Sequence, residues 1–375
     1  MNCTRRDFVK YGALTSAGVM LTSIPALAQR LDAGARLRIG YIGLGAAGKA
    51  HLKAGLAKGV IQFAALYDTS AAALQSATAL CRNKSVAAVF FASAEELLLG
   101  TSLDLVVVAT PNASHREIAE AVVKANVPVL LETMPISSVT ELQALQKAVA
   151  HRSSLISVAT PWRLEPSARQ AHEWVRDGRI GKLLGAQICC SGRTLLPDEF
   201  RKDELMTKEA SRPFGDTLFS GIGFAYLDLF FWITGCRGPA TAFCCGSEGA
   251  KGTRNRGTRT LIAGVKFDSG PEITLDYRFN KVDDASQSLL LRGSEGTLLI
   301  GTSGKATWVD SRGKTLRFQT DKEATIRKFW AGIPVWLKAS NGESYCSLDS
   351  SSPPTFASLA ILSALERKTI ARFYA

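Results

Sequence analysis

A chain of 375 residues is too long for one comfortable core, so two domains are the starting expectation. With 46% apolar and 21% charged residues there is core material enough for a globular fold without staples. The net charge of +12 is scattered, and its densest run, Lys251 to Arg259, is interleaved with Gly, Thr and Asn, so nucleic acid is set aside as a partner and a solvated basic surface is expected.

The chain opens with Thr4-Arg5-Arg6-Asp7-Phe8-Val9-Lys10, a weakly apolar stretch from Gly12 to Leu27, and Ala26-Leu27-Ala28. That order resembles a twin-arginine (Tat) export signal with its cleavage site, so residues 1–28 are expected to be a leader. The resemblance implies the Tat export machinery as a partner and a periplasmic or otherwise exported location. An uncut leader serving as an anchor is the other outcome. Of the eight cysteines Cys3 lies in this leader, and the seven left cannot all pair. Cys189-Cys190 and Cys244-Cys245 sit in apolar runs where neighbours face opposite ways. Buried thiols are expected there and no metal site.

From Arg36 short apolar runs alternate with helical patterns. Leu37–Ile42 reads as a first strand, then comes Gly43-Leu44-Gly45-Ala46-Ala47-Gly48, then a helix from about Ala47 to Lys58. Strands at Ile61–Tyr67, Val86–Phe91, Leu103–Ala109 and Val127–Leu131 are separated by helices at Ala71–Cys81, Ala94–Leu99 and Ala113–Ala125. This alternation predicts a parallel sheet covered on both faces, a Rossmann domain over 36–155.

In that setting the glycines have a mechanical use: Gly43 for the tight turn, Gly45 for close approach of a pyrophosphate, Gly48 for close packing of helix on strand. The anion would sit on the helix N-terminus at Ala46 and Ala47. Asp68, twenty residues past Gly48, can accept from ribose hydroxyls and repel a 2′-phosphate, which favours NAD over NADP. A Rossmann domain that has lost its nucleotide is the alternative.

Three further stretches narrow the reading. They are Asp104 to Asn112 with His115 beyond, Val129-Leu130-Leu131-Glu132-Thr133-Met134-Pro135, and Gly223-Phe224-Ala225-Tyr226-Leu227-Asp228. In this order, with the glycine loop and Gly178-Arg179-Ile180-Gly181, the chain resembles the glucose–fructose oxidoreductase/inositol dehydrogenase/MocA family. The resemblance implies a Rossmann domain followed by an α/β domain on a large open sheet, with tightly held NAD between them and a sugar, polyol or related small molecule as substrate. It implies cofactor contacts from Gly43, Gly45, Ala46, Ala47, Gly48 and Asp68, and from Thr110, Pro111, Asn112, His115 and Glu132. His115 has packing as its alternative. Arg163 and Asp228 would touch substrate, with a surface salt bridge as the other reading of Arg163 and a structural acceptor as that of Asp228.

Hydride transfer needs a nearby group that moves a proton. Where the family writes Glu-Lys-Pro this chain has Glu132-Thr133-Met134-Pro135, and Gly221 and Ala225 stand for the Asp and His of the second-domain motif. Of that motif Asp228 survives. Tyr226 is an offset acid/base candidate with core packing as its alternative, and Lys202 and Lys208 lie in the polar stretch 197–212. None of the four histidines, His51, His115, His151 and His172, falls at the vacant place.

The second domain, 156–349, is expected to hold an apolar helix at about Leu218–Thr234 and an open, mostly antiparallel sheet. Its strands are Leu183–Cys190, Ala240–Cys245, Thr260–Phe267, Glu272–Phe279 and Ser288–Gly293, extended by Gly296–Ile300 and Thr307–Val309. Ser350–Pro354 reads as a linker and 355–375 as a closing segment with a helix to Arg367. One bare sheet face makes a homo-oligomer the expectation. Three functions compete: an exported NAD-dependent oxidoreductase with a divergent proton relay, a non-catalytic binding or accessory protein, and a glycosidase- or lyase-like enzyme using the cofactor transiently.

Overall fold

The computed structural model describes residues 24–151, 155–192, 219, 221–247, 259–268, 270–279, 286–301, 304–319, 325–338, 347–367 and 371–372. Lys202, Lys208 and the polar stretch around them lie outside the described residues, as does the twin-arginine stretch. The chain forms two compact units: one holds the chain up to Ile136 with Thr140–Ala159 and Phe329–Leu348, the other Ser137–Val139, Thr160–Lys328 and Asp349 onward.

The first unit begins with helix α1 (Ile24–Asp32), which runs through the expected cleavage site. Its Arg30 reaches the Asp104 carboxylate at 2.7 Å, and the other oxygen of Asp104 accepts the Arg38 amide at 2.8 Å. Strands β1 (Leu37–Ile42), β2 (Ile61–Tyr67), β3 (Ala87–Phe90), β4 (Leu105–Val108), β5 (Val129–Leu131) and β6 (Ile156–Val158) form a parallel sheet in the order β3-β2-β1-β4-β5-β6. This is the doubly wound order in which ligands bind beyond the carboxyl ends of the strands. All four residues of β4 are buried, as expected for a strand covered on both faces.

The covering helices are α2 (Ala46–Lys58), α3 (Ala71–Arg82), α4 (Ala94–Gly100), α5 (His115–Lys124) and α6 (Val139–Ala148), the last divided between the units at its first residue. Local signals set their starts. Ser70 caps α3 by accepting the Ala73 amide, and Ser93 caps α4 by accepting that of Glu96. Each such cap contributes about 1 kcal/mol. The buried positions of α5, His115, Ile118, Ala119, Val122 and Val123, follow the three-and-four spacing of one helix face.

The first unit extends past the expected boundary at 155, because Ile156–Val158 pairs with β5 as a sixth strand. Phe329–Leu348, expected in the second domain, also joins it, since the Trp330 ring packs 6.4 Å from Tyr41 in the core.

The second unit carries α7 (Pro166–Arg176), β7 (Leu183–Gly192), α8 (Ile222–Thr234), β8 (Pro239–Ser247), β9 (Arg259–Phe267), β10 (Glu272–Phe279), β11 (Ser286–Gly293), β12 (Gly296–Gly301), β13 (Lys305–Asp310) and β14 (Thr315–Gln319). Helix α9 (Thr325–Lys338), divided between the units, α10 (Leu348–Arg367) and β15 (Ala371–Arg372) complete the chain. The sheet order is β14-β13-β12-β11-β7-β10-β9-β8-β15, antiparallel throughout except where β7 meets β10. Thus the expected large, mostly antiparallel sheet is present. Helices α7 and α8 pack on one face, while Phe243, Ile262 and Leu299 stand exposed.

Ser350–Pro354, expected as a linker, lies inside α10. Pro354 cannot donate to the carbonyl four residues back, which is that of Ser350. Arg163 fills the vacancy, donating from Nη2 to the Ser350 carbonyl at 3.1 Å. At Pro354, therefore, a side chain from elsewhere satisfies the backbone.

Candidate active site

The carboxyl end of β1 delivers the chain into the glycine loop. Gly43 has φ +91°, and a Cβ there would come within 2.6 Å of the Ala109 carbonyl oxygen. A Cβ on Gly48 would run into the Gly43 carbonyl oxygen itself. Gly45, by contrast, would meet nothing within 4 Å, and it caps α2 without any side-chain bond. The N–H groups of Ala46, Ala47 and Gly48 stand in the first turn of α2, where a helix has no acceptor of its own for them. Open space, first-turn donors and the positive end of the helix dipole make an anion cradle.

Asp68 closes this loop from below. Its Oδ2 accepts the Leu44 amide at 2.6 Å and its Oδ1 the Ser70 amide at 2.7 Å. One carboxylate therefore ties the glycine loop to the cap of α3. Each oxygen retains a further lone pair that a hydroxyl can use.

The ends of β4 and β5 lie beside it. Thr110 and Pro111 lead into the short turn Asn112–Ser114 and then α5. His115 at its start is wholly buried, with Nδ1 3.0 Å from the Pro135 carbonyl oxygen and Nε2 2.8 Å from that of Thr110. Burial pushes this imidazole down, opposed by the two carbonyls. The ring holds the two loops together, which is a structural use of the residue.

Glu132 ends β5. Its Oε1 lies 2.6 Å from His51 Nε2, and its Oε2 accepts the Thr133 amide at 2.8 Å. Burial alone would push the Glu132 carboxyl up; the bonds from His51 and Thr133 outweigh it and hold the group below its usual range. His51, on α2, in turn receives at Nδ1 the indole N–H of Trp330 at 3.0 Å. In the sequence His51 stands three residues past Gly48, and no local pattern joins it to Trp330, 279 positions away.

In the second unit Arg163 and Asp228 meet. Nε and Nη2 of Arg163 donate to the two oxygens of Asp228 at 2.8 and 2.5 Å, and both side chains are buried. Arg163 further donates to Ser350 Oγ at 2.8 Å and lies 3.4 Å from Ser351 Oγ. Burial pushes the Asp228 carboxyl up and the guanidinium opposes it. The surface salt bridge considered for Arg163 is thus a core ion pair, because its partner lies on the buried face of α8. Tyr226 is buried too, its ring 5.9 Å from that of Trp162, and burial pushes its phenol up. Ala225 keeps partial exposure on this helix. Among the described residues no group of three or more His, Cys, Asp or Glu side chains is placed to hold a metal.

A family model described as an oxidoreductase family with an NAD-binding Rossmann fold, Gfo/Idh/MocA, matches residues 37–160. Residues 37–160 thus match the NAD-binding domain of this family. The rhizopine catabolism protein MocA of Rhizobium meliloti is 26% identical over 313 residues, covering 81% of this chain and 83% of that protein. Among solved structures, scyllo-inositol dehydrogenase from Lactobacillus casei, with bound NAD(H) and scyllo-inositol, superimposes with a TM-score of 0.69 at 19% identity. That match covers 90% of this chain and 99% of the other. Levoglucosan dehydrogenase, in complex with NADH and levoglucosan, has a TM-score of 0.70 at 17% identity, over 90% and 99% of the chains. Both share the fold of this chain. The glycine loop, Asp68, Thr110–His115 and Glu132 all fall within the matched family domain.

Proposed function

We propose that this protein is an exported NAD-dependent oxidoreductase acting on a sugar, polyol or related small molecule. The observation that carries the reading is the loop braced by Asp68 over an open α2 N-terminus. In it Gly43, Gly45, Ala46, Ala47 and Gly48 would hold the pyrophosphate and Asp68 the adenosine ribose. Thr110, Pro111, Asn112 and Glu132 would face the nicotinamide half, with His115 fixing their loops. Bound there, NAD supplies a hydride acceptor for a substrate C–H bond. The named substrates of the inositol and levoglucosan dehydrogenases support the polyol or sugar class.

The proton of the reaction would travel by a relay other than the family's. Thr133, Met134, Gly221 and Ala225 carry no useful proton, Asp228 is fully engaged by Arg163, and Tyr226 is buried. The same observation favours a second reading, a nucleotide-holding accessory protein without turnover. Purified folded protein distinguishes them. Absorbance and fluorescence should report bound or added NAD(H), and the bound cofactor should change redox state on addition of inositols or anhydro sugars. Failure to take up NAD(H) overturns both readings; uptake without any redox change leaves the accessory protein.

The twin-arginine stretch supports export, tested by whether replacing Arg5 and Arg6 with Lys retains the protein in the cytoplasm. The exposed Phe243, Ile262 and Leu299 support self-association through the sheet, for which Phe243→Lys should lower the mass seen by light scattering.

A further inference from the structure

We infer that Trp330 is a positioning residue for the cofactor site, acting on Glu132 through His51; the inference deepens the NAD reading and rests on it. An indole N–H only donates, so the 3.0 Å contact makes His51 Nδ1 an acceptor. The ring proton then resides on Nε2, where it is donated to Glu132 Oε1 at 2.6 Å. The bond made by one imidazole nitrogen fixes the tautomer presented by the other. Glu132 is thereby held between two donors, His51 on one oxygen and the Thr133 amide on the second, at the very end of β5.

The surroundings leave the chain of bonds little freedom. His51 is 1% exposed and Trp330 wholly buried. The indole is edge-on to the imidazole, with ring centres 5.8 Å apart, and Phe329 flanks the same imidazole at 6.2 Å. Gly55, one turn beyond His51 on α2, makes room: a Cβ there would lie 2.9 Å from Trp330 Cε3. A helix glycine that costs stability on propensity grounds thus has a reason, because it lets the indole reach the histidine. Without Trp330, His51 could place its proton on either nitrogen, and the tautomer with Nε2 bare would set a lone pair against the Glu132 carboxylate. The carboxylate would then turn away from the orientation that a nicotinamide ribose would meet.

The test reads the tautomer directly. In the full-length protein, imidazole nitrogen chemical shifts should show His51 with bare Nδ1 and protonated Nε2. In Trp330→Phe, which keeps an aromatic ring and loses the donor, the His51 signals should move toward a tautomer mixture. NAD(H) affinity should fall roughly three- to tenfold, the worth of one such hydrogen bond. His51→Gln, whose amide can donate to Glu132 unaided, should make the Trp330→Phe change silent in the double variant. A wild-type spectrum with a protonated Nδ1, or unchanged NAD(H) affinity in Trp330→Phe, overturns the inference. If Trp330→Phe does not fold, Gly55→Ala displaces the same indole and must shift the same signals. If the wild type takes up no NAD(H), the cofactor reading fails, while the tautomer shift still decides whether Trp330 sets His51.

Discussion

Two carboxylates in this molecule, Asp68 in the first unit and Asp228 in the second, both stand at motif positions but have different kinds of partner. Asp68 accepts two backbone amides, Leu44 and Ser70, beside a helix end that stays open. Asp228 accepts a bidentate guanidinium in the buried core. The first keeps acceptor capacity facing free space; the second has spent its charge on its own fold. A residue type at a motif position therefore says less about chemistry than what its neighbours leave unsatisfied.

The largest expected effect lies on the Asp228 side. Arg163→Met leaves a buried carboxylate unpaired and should cost about 3–5 kcal/mol in denaturant unfolding. The double change Arg163→Met, Asp228→Leu should recover most of that loss. A single variant that unfolds like the wild type yet fails to bind substrate would erase the contrast with Asp68. Next is Gly48→Ala, where the new methyl meets the Gly43 carbonyl. We expect about 1–3 kcal/mol lost in thermal unfolding and NAD(H) affinity reduced more than tenfold by fluorescence titration. Asp68→Ala removes one acceptor from two amides and should cost about 1–2 kcal/mol. It should also relax the preference for NAD over NADP, measured by competitive titration. Binding unaltered by Asp68→Ala would make that carboxylate as structural as Asp228.

The smallest effect is in pH. The Glu132 carboxyl is held below its usual range in the fold, so it contributes stability that is present above the unfolded value of about 4. That contribution is lost as pH falls through the lower folded value. Glu132→Gln should therefore be less stable at neutral pH and show a shallower loss of stability below about pH 4. An identical acid limb in both proteins would count against the Glu132 hydrogen bonds.

Much of the fold was legible because its periodicities are local. The all-apolar Leu105–Val108, the caps at Ser70 and Ser93, and the glycine loop each announce themselves within a few residues. The large second sheet was readable for the same reason, strand by strand. What escaped depended on contacts distant in sequence. No pattern within 329–348 links it to α2, yet Trp330 meets His51 there. Ser350–Pro354 carries linker composition, yet it lies in a helix, where Arg163, 187 residues earlier, donates to the Ser350 carbonyl that Pro354 cannot serve. Site residues divided likewise: the glycine loop and Asp68 follow a local spacing pattern that is readable in the sequence, whereas Arg163, Asp228 and His51 take their meaning from partners that no local pattern reveals.

The late segment Phe329–Leu348 also bears on how the protein is made. Residues 160–328 must be synthesised before that segment exists, a delay of roughly 10 to 30 seconds at ribosomal rates. Until then the contacts that Trp330 makes with Tyr41, Gly55 and His51 cannot form. The first unit can be complete only once Leu348 has been made, long after the last strand of its sheet, so a cofactor loaded on it would report that this late segment is in place.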